Sequence, residues 1–292
     1  MEKLKSTFFV LMTVIFIAIV QVNTVYSQSE AAQNSGNSVF AYKYPSGDAV
    51  HYLTNQKIVQ MMDVEGQQVQ VIVTSVNGCF VKSSGNQGNN LKLEFRVDTM
   101  SQVVDSPQGV TGGNIPDAKG KTFHMIISPK GKQVDISEAA SITVMKGENG
   151  STNLSQSFTG FFPILPQAQV KPGSTWPSTD TIKFNSESIS MNQVVKSQNT
   201  FERFENVQGI NCARISSVMQ GTWLMKTQSQ GFEMSLNGTF TGTGTVYFAP
   251  AEGYFVRNDA TMKVTGTLEI VSPQSMTMPI VMDITSSSGI QK

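Results

Sequence analysis

The chain has 292 residues, with 21 Lys and Arg against 21 Asp and Glu, so its formal net charge is zero and no net field draws it to nucleic acid or an anionic membrane surface. Its two cysteines and two histidines are scattered, a poor basis for a metal site, and no cofactor is expected. Charged residues are only 14 % of the chain while Gly, Ser, Thr, Asn and Gln are plentiful, as in exported β-proteins, and 15 methionines point to an adaptable apolar interior.

Residues 1–27 read as a signal peptide. Lys3 and Lys5 precede an apolar run over residues 8–20, and Val25-Tyr26-Ser27 places cleavage before Gln28. So short an apolar run is a signal core sooner than a spanning helix, and the mature chain is expected to hold no spanning segment and to sit in the periplasm or outside the cell, at the envelope. Residues 28–38 are polar and without period, a flexible leader.

Residues 39–150 read as a first β half. Phe40, Tyr42 and Tyr44 alternate with Ala41 and Lys43 and should open the sheet, and Pro45-Ser46-Gly47-Asp48 turns the chain into a long strand, Val50 to Val64. Glu65-Gly66 turns it again, and Val69, Val71 and Val73 share one face of the next strand. Asn77-Gly78 predicts a type I′ hairpin, since both central residues of that turn need positive φ. Residues 79–83 then return, residues 85–90 loop, and Leu91, Leu93, Phe95 and Val97 mark another strand. A Pro/Gly-rich connector over residues 106–120 leads to a strand at 122–128, a turn at Pro129-Lys130-Gly131 and a return at 133–136.

There the period changes. Asp135 and Glu138 have the spacing of a capping box for a short helix running to Lys146. In residues 151–177, a helical lid and Pro-rich connector, Leu154, Phe158, Phe161 and Phe162 fall at i, i+4, i+7 and i+8 of a second helix that Pro163 stops. With Leu165 they are the candidate ligand-binding residues, a lid over an apolar groove; the alternative is that the stripe is simply core. Residues 178–292 form a second β half, in which residues 239–248 and 254–258 pair around Pro250 and Gly253. Two echoes suggest that the halves are related: Asn206-Val207-Gln208-Gly209 matches Asp63-Val64-Glu65-Gly66, and residues 245–253 follow the plan of residues 122–131.

The Val207-Gln208-Gly209 turn with its cysteine strand to Ile215, the Gly-Thr-Gly-Thr run before Tyr247-Phe248, Pro250 to Gly253, and Lys171-Pro172-Gly173-Ser174-Thr175-Trp176 together resemble uncharacterised exported bacterial proteins built on β-rich repeats. Such proteins are similar to the curved half-barrels of the lipoprotein-localisation (LolA/LolB-like) type. That resemblance implies a concave face able to hold acyl chains beneath short helices, and it carries over no site residue.

Catalytic signals are sparse. His51 and His124 both fall in strands, without a nucleophile-elbow sequence. Asp180, Glu187, Glu202 and Glu205 read as solvated acids rather than a glycosidase pair, Gly242-Thr243-Gly244 precedes a strand and cannot cradle phosphate, and Trp176 and Trp223 read as buried anchors. Export to an oxidising compartment permits a disulfide between Cys79 and Cys212, with buried free thiols as the alternative. The expectation is a mainly β protein, a curved antiparallel sheet or incomplete barrel with one or two short helices between its halves. It is expected to be no enzyme but a binding module for an apolar or amphipathic small molecule such as a lipid. A structural or surface interaction protein with a filled core is the alternative, and a secreted hydrolase the third reading.

Overall fold

The computed structural model describes residues 38–64, 66–145, 151–185, 189–229, 232–272 and 275–291; the expected signal peptide and nearly all of the expected leader lie outside them. The molecule is mainly β. Strands β1 (Val50–Val64), β2 (Gln67–Gln87), β3 (Asn90–Ser106), β4 (Gly109–Asn114), β5 (Thr122–Ile127) and β6 (Gln133–Asp135) come from the first part of the chain. Strands β9 (Thr175–Asn185), β10 (Ile189–Val207), β11 (Ile210–Ser229), β12 (Phe232–Ala249), β13 (Tyr254–Ser272) and β14 (Met276–Ile290) come from the last. Between the two sets lie α1 (Ser137–Ala140), α2 (Ser155–Phe158) and a small hairpin, β7 (Thr143–Met145) with β8 (Ser151–Asn153).

All but that hairpin form one 12-stranded sheet in the order β6-β5-β3-β2-β1-β14-β13-β12-β11-β10-β9, with β4 beside β3, and the sheet is curved without closing into a barrel. The pairing is antiparallel throughout, and β1 with β14 joins the first strand to the last in its middle. Alternation explains why such long strands hold one register: along β1 every second residue from Tyr52 to Val64 is buried, so a slip of one residue would turn the whole apolar set outward.

The curl is tight at the C-terminal side. Gln193 Nε2 on β10 lies 3.9 Å from Met262 Sδ on β13, although β11 and β12 run between those strands in the sheet. Glycine makes this curvature feasible. A Cβ at Gly221 would collide with Val194 O, and one at Gly242 or Gly266 would fall 2.4 Å from Thr261 O or 2.3 Å from Asn237 O.

The inward face is banded. One end is aromatic: Phe95 and Phe123 stack at 5.0 Å, Phe161 and Phe162 cross Phe95 at steep angles, and Tyr52 and Phe255 pack in turn on Phe161. Next comes a row of polar and small residues running strand to strand through Gln102, Ser75, Gln56, Ser286, Ala260, Gly244, Ser217 and Asn199, and ending on Trp176. Beyond it the lining is aliphatic and methionine-rich, with Ile58, Ile284, Met262 and Met219 all buried.

Several expected elements take another form. Phe40, Tyr42 and Tyr44 are buried in alternation as expected, but they are not in the sheet: residues 38–45 are an extended arm laid across the aromatic end. Tyr42 N–H donates to Pro129 O and Lys43 N–H to Gly253 O, so the arm threads between the two turns that echo each other in the sequence. Gly131 and Gly253 both have positive φ there, and a Cβ on either would come within 2.5 Å of the arm, at Tyr42 Cε2 or Lys43 Cβ.

The Asn77-Gly78 turn does not exist. Both residues sit mid-strand in β2, paired with Thr54 and Leu53 on one side and Met100 and Thr99 on the other. Central pairing on two sides outweighs the local turn preference, and the chain reverses only at Gly88-Asn89, where Gln87 pairs with Asn90. The connector over residues 106–120 holds β4 and a 3₁₀ turn, Pro116–Ala118. Both helices are four residues long rather than running to Lys146 and Phe162; the first gives way to β7, and the helix end expected at Lys146 lies outside the described residues. The capping box is half made. Asp135 Oδ1 accepts Ser137 N–H, while Glu138 turns instead to His124.

Candidate functional site

The expected ligand-binding residues are assembled, but in the core. Leu154, Phe158, Phe161, Phe162 and Leu165 are all at most 3 % exposed. Phe158 packs 5.1 Å from Phe123, Phe161 5.4 Å from Tyr52, and Phe162 5.3 Å from Tyr42, which belongs to the arm. The helical segment therefore covers the aromatic end of the sheet together with the arm, and its rings fill the space beneath it. Phe161 and Phe162 also border a hollow of about 240 Å³ shared with Gly131 and Thr181 at the β9 edge.

A larger concavity lies on the opposite, solvent-facing side of the sheet. A groove of about 880 Å³ crosses β9 to β14 and adjoins a second of about 390 Å³ that reaches β1 and β2. Both share Thr243, Thr261 and Thr285, which are register partners on β12, β13 and β14, and Thr285 is in turn opposite Lys57 of β1. The Thr243 and Thr261 hydroxyls are 3.0 Å apart. Lys196, Lys263 and Asp283 line the larger groove, so its charge is mixed, and a row of threonine hydroxyls crosses a surface that Val218, Met219, Met262 and Ile284 make more apolar than polar.

The histidines stand on the outward face of the first strands. His51 Nε2 is 3.3 Å from Asp98 Oδ2, and its ring stacks on Phe80 at 4.3 Å, with the Arg96 guanidinium 4.4 Å from the Phe80 ring centre. His124 has a different setting. Its backbone N–H and its Nδ1 both lie on Glu138 Oε2, at 2.8 and 2.9 Å, and its Nε2 is 3.4 Å from Ser84 Oγ. The backbone N–H of His124 holds the Glu138 carboxyl below the usual carboxylate range. Ser84 sits on a bulge: the β2–β3 register jumps between Ser83 and Asn86, and Gly85 takes φ +104. The sequence reading missed Ser84 because no elbow motif flags it. The usable signal was Ser83-Ser84-Gly85, a serine next to a glycine free to adopt the bulge.

Cys79 and Cys212 are free and buried. Burial raises the Cys79 thiol well above its ordinary range and pushes Cys212 up to about 12, so neither is a thiolate at neutral pH. Among the described residues no group of three or more His, Cys, Asp or Glu side chains could hold a metal ion, and no helix is long and apolar enough to cross a membrane. Trp176 and Trp223 are buried anchors, as expected.

No family model matches the chain, and no curated protein matches it. Among solved structures it is similar to DynF from the dynemicin biosynthesis pathway of Micromonospora chersina, at 7 % identity and a TM-score of 0.26 over 91 % of this chain and 95 % of that one. It is also similar to OccK5 (OpdH) of Pseudomonas aeruginosa, at 6 % identity and a TM-score of 0.26 over 84 % of this chain and 99 % of that one. A third is OccK2 (OpdF) of the same organism, at 6 % identity and a TM-score of 0.23 over 84 % and 98 %. Likenesses this distant carry no argument about what the chain does.

Proposed function

We propose that the chain is an exported binding module of the cell envelope that uses its outward groove as the contact surface. One observation carries this reading: the inward apolar face is packed by the chain's own side chains, whereas a groove of about 880 Å³ stays open on the other side. A surface of threonine hydroxyls, each both donor and acceptor, suits an extended hydroxyl-bearing ligand better than an acyl chain. Affinity electrophoresis in gels containing a soluble neutral polysaccharide tests it. The wild-type protein should be retarded, and Thr243→Val with Thr261→Val should migrate as in plain gel while keeping its β spectrum. Equal migration of the wild type in both gels removes the reading.

A second reading keeps the amphipathic ligand, such as a lipid, inside the roll. It is supported by buried amides with polar atoms that no group among the described residues satisfies: both amide atoms of Gln60, and Asn77 Oδ1, Gln102 Oε1, Gln193 Oε1 and Asn258 Oδ1. A polar head among these groups with its tail along Ile58, Met262 and Met219 would resemble the acyl-carrying half-barrels. Mass spectrometry of a solvent extract of the natively purified protein decides it: a stoichiometric lipid supports the internal site, and its absence leaves only the groove.

A further inference from the structure

We propose that Ser84, His124 and Glu138 form a serine acyl-transfer centre that hydrolyses carboxylic esters at the outward face of β2 and β5. This goes beyond binding and rests on a different part of the molecule from the groove. Glu138 Oε2 accepts the His124 backbone N–H at 2.8 Å, which stabilises the carboxylate, an acceptor only. The contact of 2.9 Å between that oxygen and His124 Nδ1 then requires the proton to be on Nδ1. Nε2 is left with its lone pair, and it is Nε2 that faces Ser84 Oγ at 3.4 Å. One hydrogen-bonding arrangement thus fixes the ring, its tautomer and the basic nitrogen beside a hydroxyl, which are the roles of orienting acid, base and nucleophile. The serine–histidine distance is long, as such pairs often are before substrate binds.

The bulge has a part in this. Ser83 pairs with Leu93 and Asn86 with Leu91, so Ser84 and Gly85 are released from the ladder, and the serine is exposed rather than aligned with its strand. In the reaction, Ser84 Oγ bonds to the ester carbonyl carbon as its proton passes to His124 Nε2. The bond to the alcohol breaks as that proton is returned to the departing oxygen. Water then loses a proton to the same nitrogen, attacks the acyl-serine, and releases the carboxylic acid and the free hydroxyl. The open setting gives water ready access, which favours hydrolysis over transfer to another alcohol. Glu138 is a positioning residue in this scheme; it touches the histidine and not the ester.

The test is covalent labelling of the full-length purified protein with a fluorophosphonate, the adduct located by peptide mass spectrometry. Ser84 should carry the phosphonyl group, Ser84→Ala should carry none there, and His124→Gln should be labelled about 100-fold more slowly or worse, as loss of a general base implies. Glu138→Gln should slow labelling at the same serine and Glu138→Asp should restore part of the rate, which a merely structural carboxylate would not do. If His124→Gln lacks the wild-type far-UV spectrum, turnover of p-nitrophenyl acetate by wild type against Ser84→Ala decides instead, with loss of turnover expected. The proposal is overturned if Ser84 is labelled no faster than the outward-facing Ser216, if His124→Gln leaves the rate unchanged, or if Ser84→Ala turns over the ester as fast as wild type.

Discussion

The side chains that hold the arm in place show how single residues set the behaviour of the aromatic end. Tyr52 donates its phenolic proton to Phe255 O at 2.8 Å, so the contact of 2.8 Å between Tyr44 and Tyr52 must be a donation from Tyr44. Tyr42 donates to Pro163 O at 2.7 Å, which ties the arm to the segment after α2. Burial raises Tyr44 and Tyr52 well above the ordinary value of 10.0, because a phenolate there would lose its water. The sign follows from proton counting. Above about pH 10 the unfolded chain releases protons that the folded chain retains, so stability falls as pH rises beyond that point. Tyr44→Phe should flatten the alkaline limb of a urea-midpoint against pH plot while costing about 1 kcal/mol at neutral pH, the size of one hydrogen bond. An unchanged alkaline limb would mean that these phenols ionise in the folded protein.

At the scale of elements, β2 shows where local preference gives way. Asn77-Gly78 has the composition of a type I′ turn, but Gly78 takes no positive φ and is flanked by neighbours on both sides; a Cβ there would fall 2.8 Å from Thr99 Cγ2. Gly78→Ala should therefore destabilise by overpacking, about 1–3 kcal/mol. Adding Thr99→Ala should recover most of that loss in chemical denaturation, because it removes the atom in the way. A turn glycine would show no such rescue, and failure of the pair to recover would return Gly78 to a turn. The contrast with the Gly66 and Gly209 turns is instructive. There an acid or amide three residues before the glycine caps it, Asp63 Oδ1 accepting Gly66 N–H and Asn206 Oδ1 accepting Gly209 N–H, and the matching sequences give matching geometry. Turns closed by their own side chains were legible, as were β1 with its bounds, the hairpin around Gly253 and the apolar cluster of Leu154, Phe158, Phe161 and Phe162, though of these only Phe158 lies within α2. The arm was not, because its alternation of buried and exposed residues is that of a strand and only the partner of its N–H groups distinguishes the two. The Ser84–His124–Glu138 arrangement was not either, since it depends on three elements and on a bulge that no local sequence rule places.

At the scale of the whole molecule, the open question is what the buried amides of the roll hold. Gln60 is fully buried, between Val71 and Met282 in the register and with Ile58 and Met62 beside it on its own strand. Among the described residues, neither atom of its amide meets a partner. An amide left so costs about 1–3 kcal/mol, and a leucine of similar length would remove that cost and add apolar contacts. If the roll is filled only by its own side chains, Gln60→Leu should raise the urea midpoint without changing the slope of the transition. If a polar-headed guest or a tightly held water satisfies the amide, the same substitution removes a bond already made, and the midpoint should fall. The sign of one shift therefore separates a filled core, with binding confined to the outward groove, from an interior that carries something. Gln193→Leu should shift the midpoint in the same direction, because its Oε1 is equally buried and, among the described residues, its amide nitrogen reaches only Met262 Sδ, a weak acceptor. Opposite signs at the two positions would mean that the amides answer to local packing, and would remove the argument for a guest inside the roll.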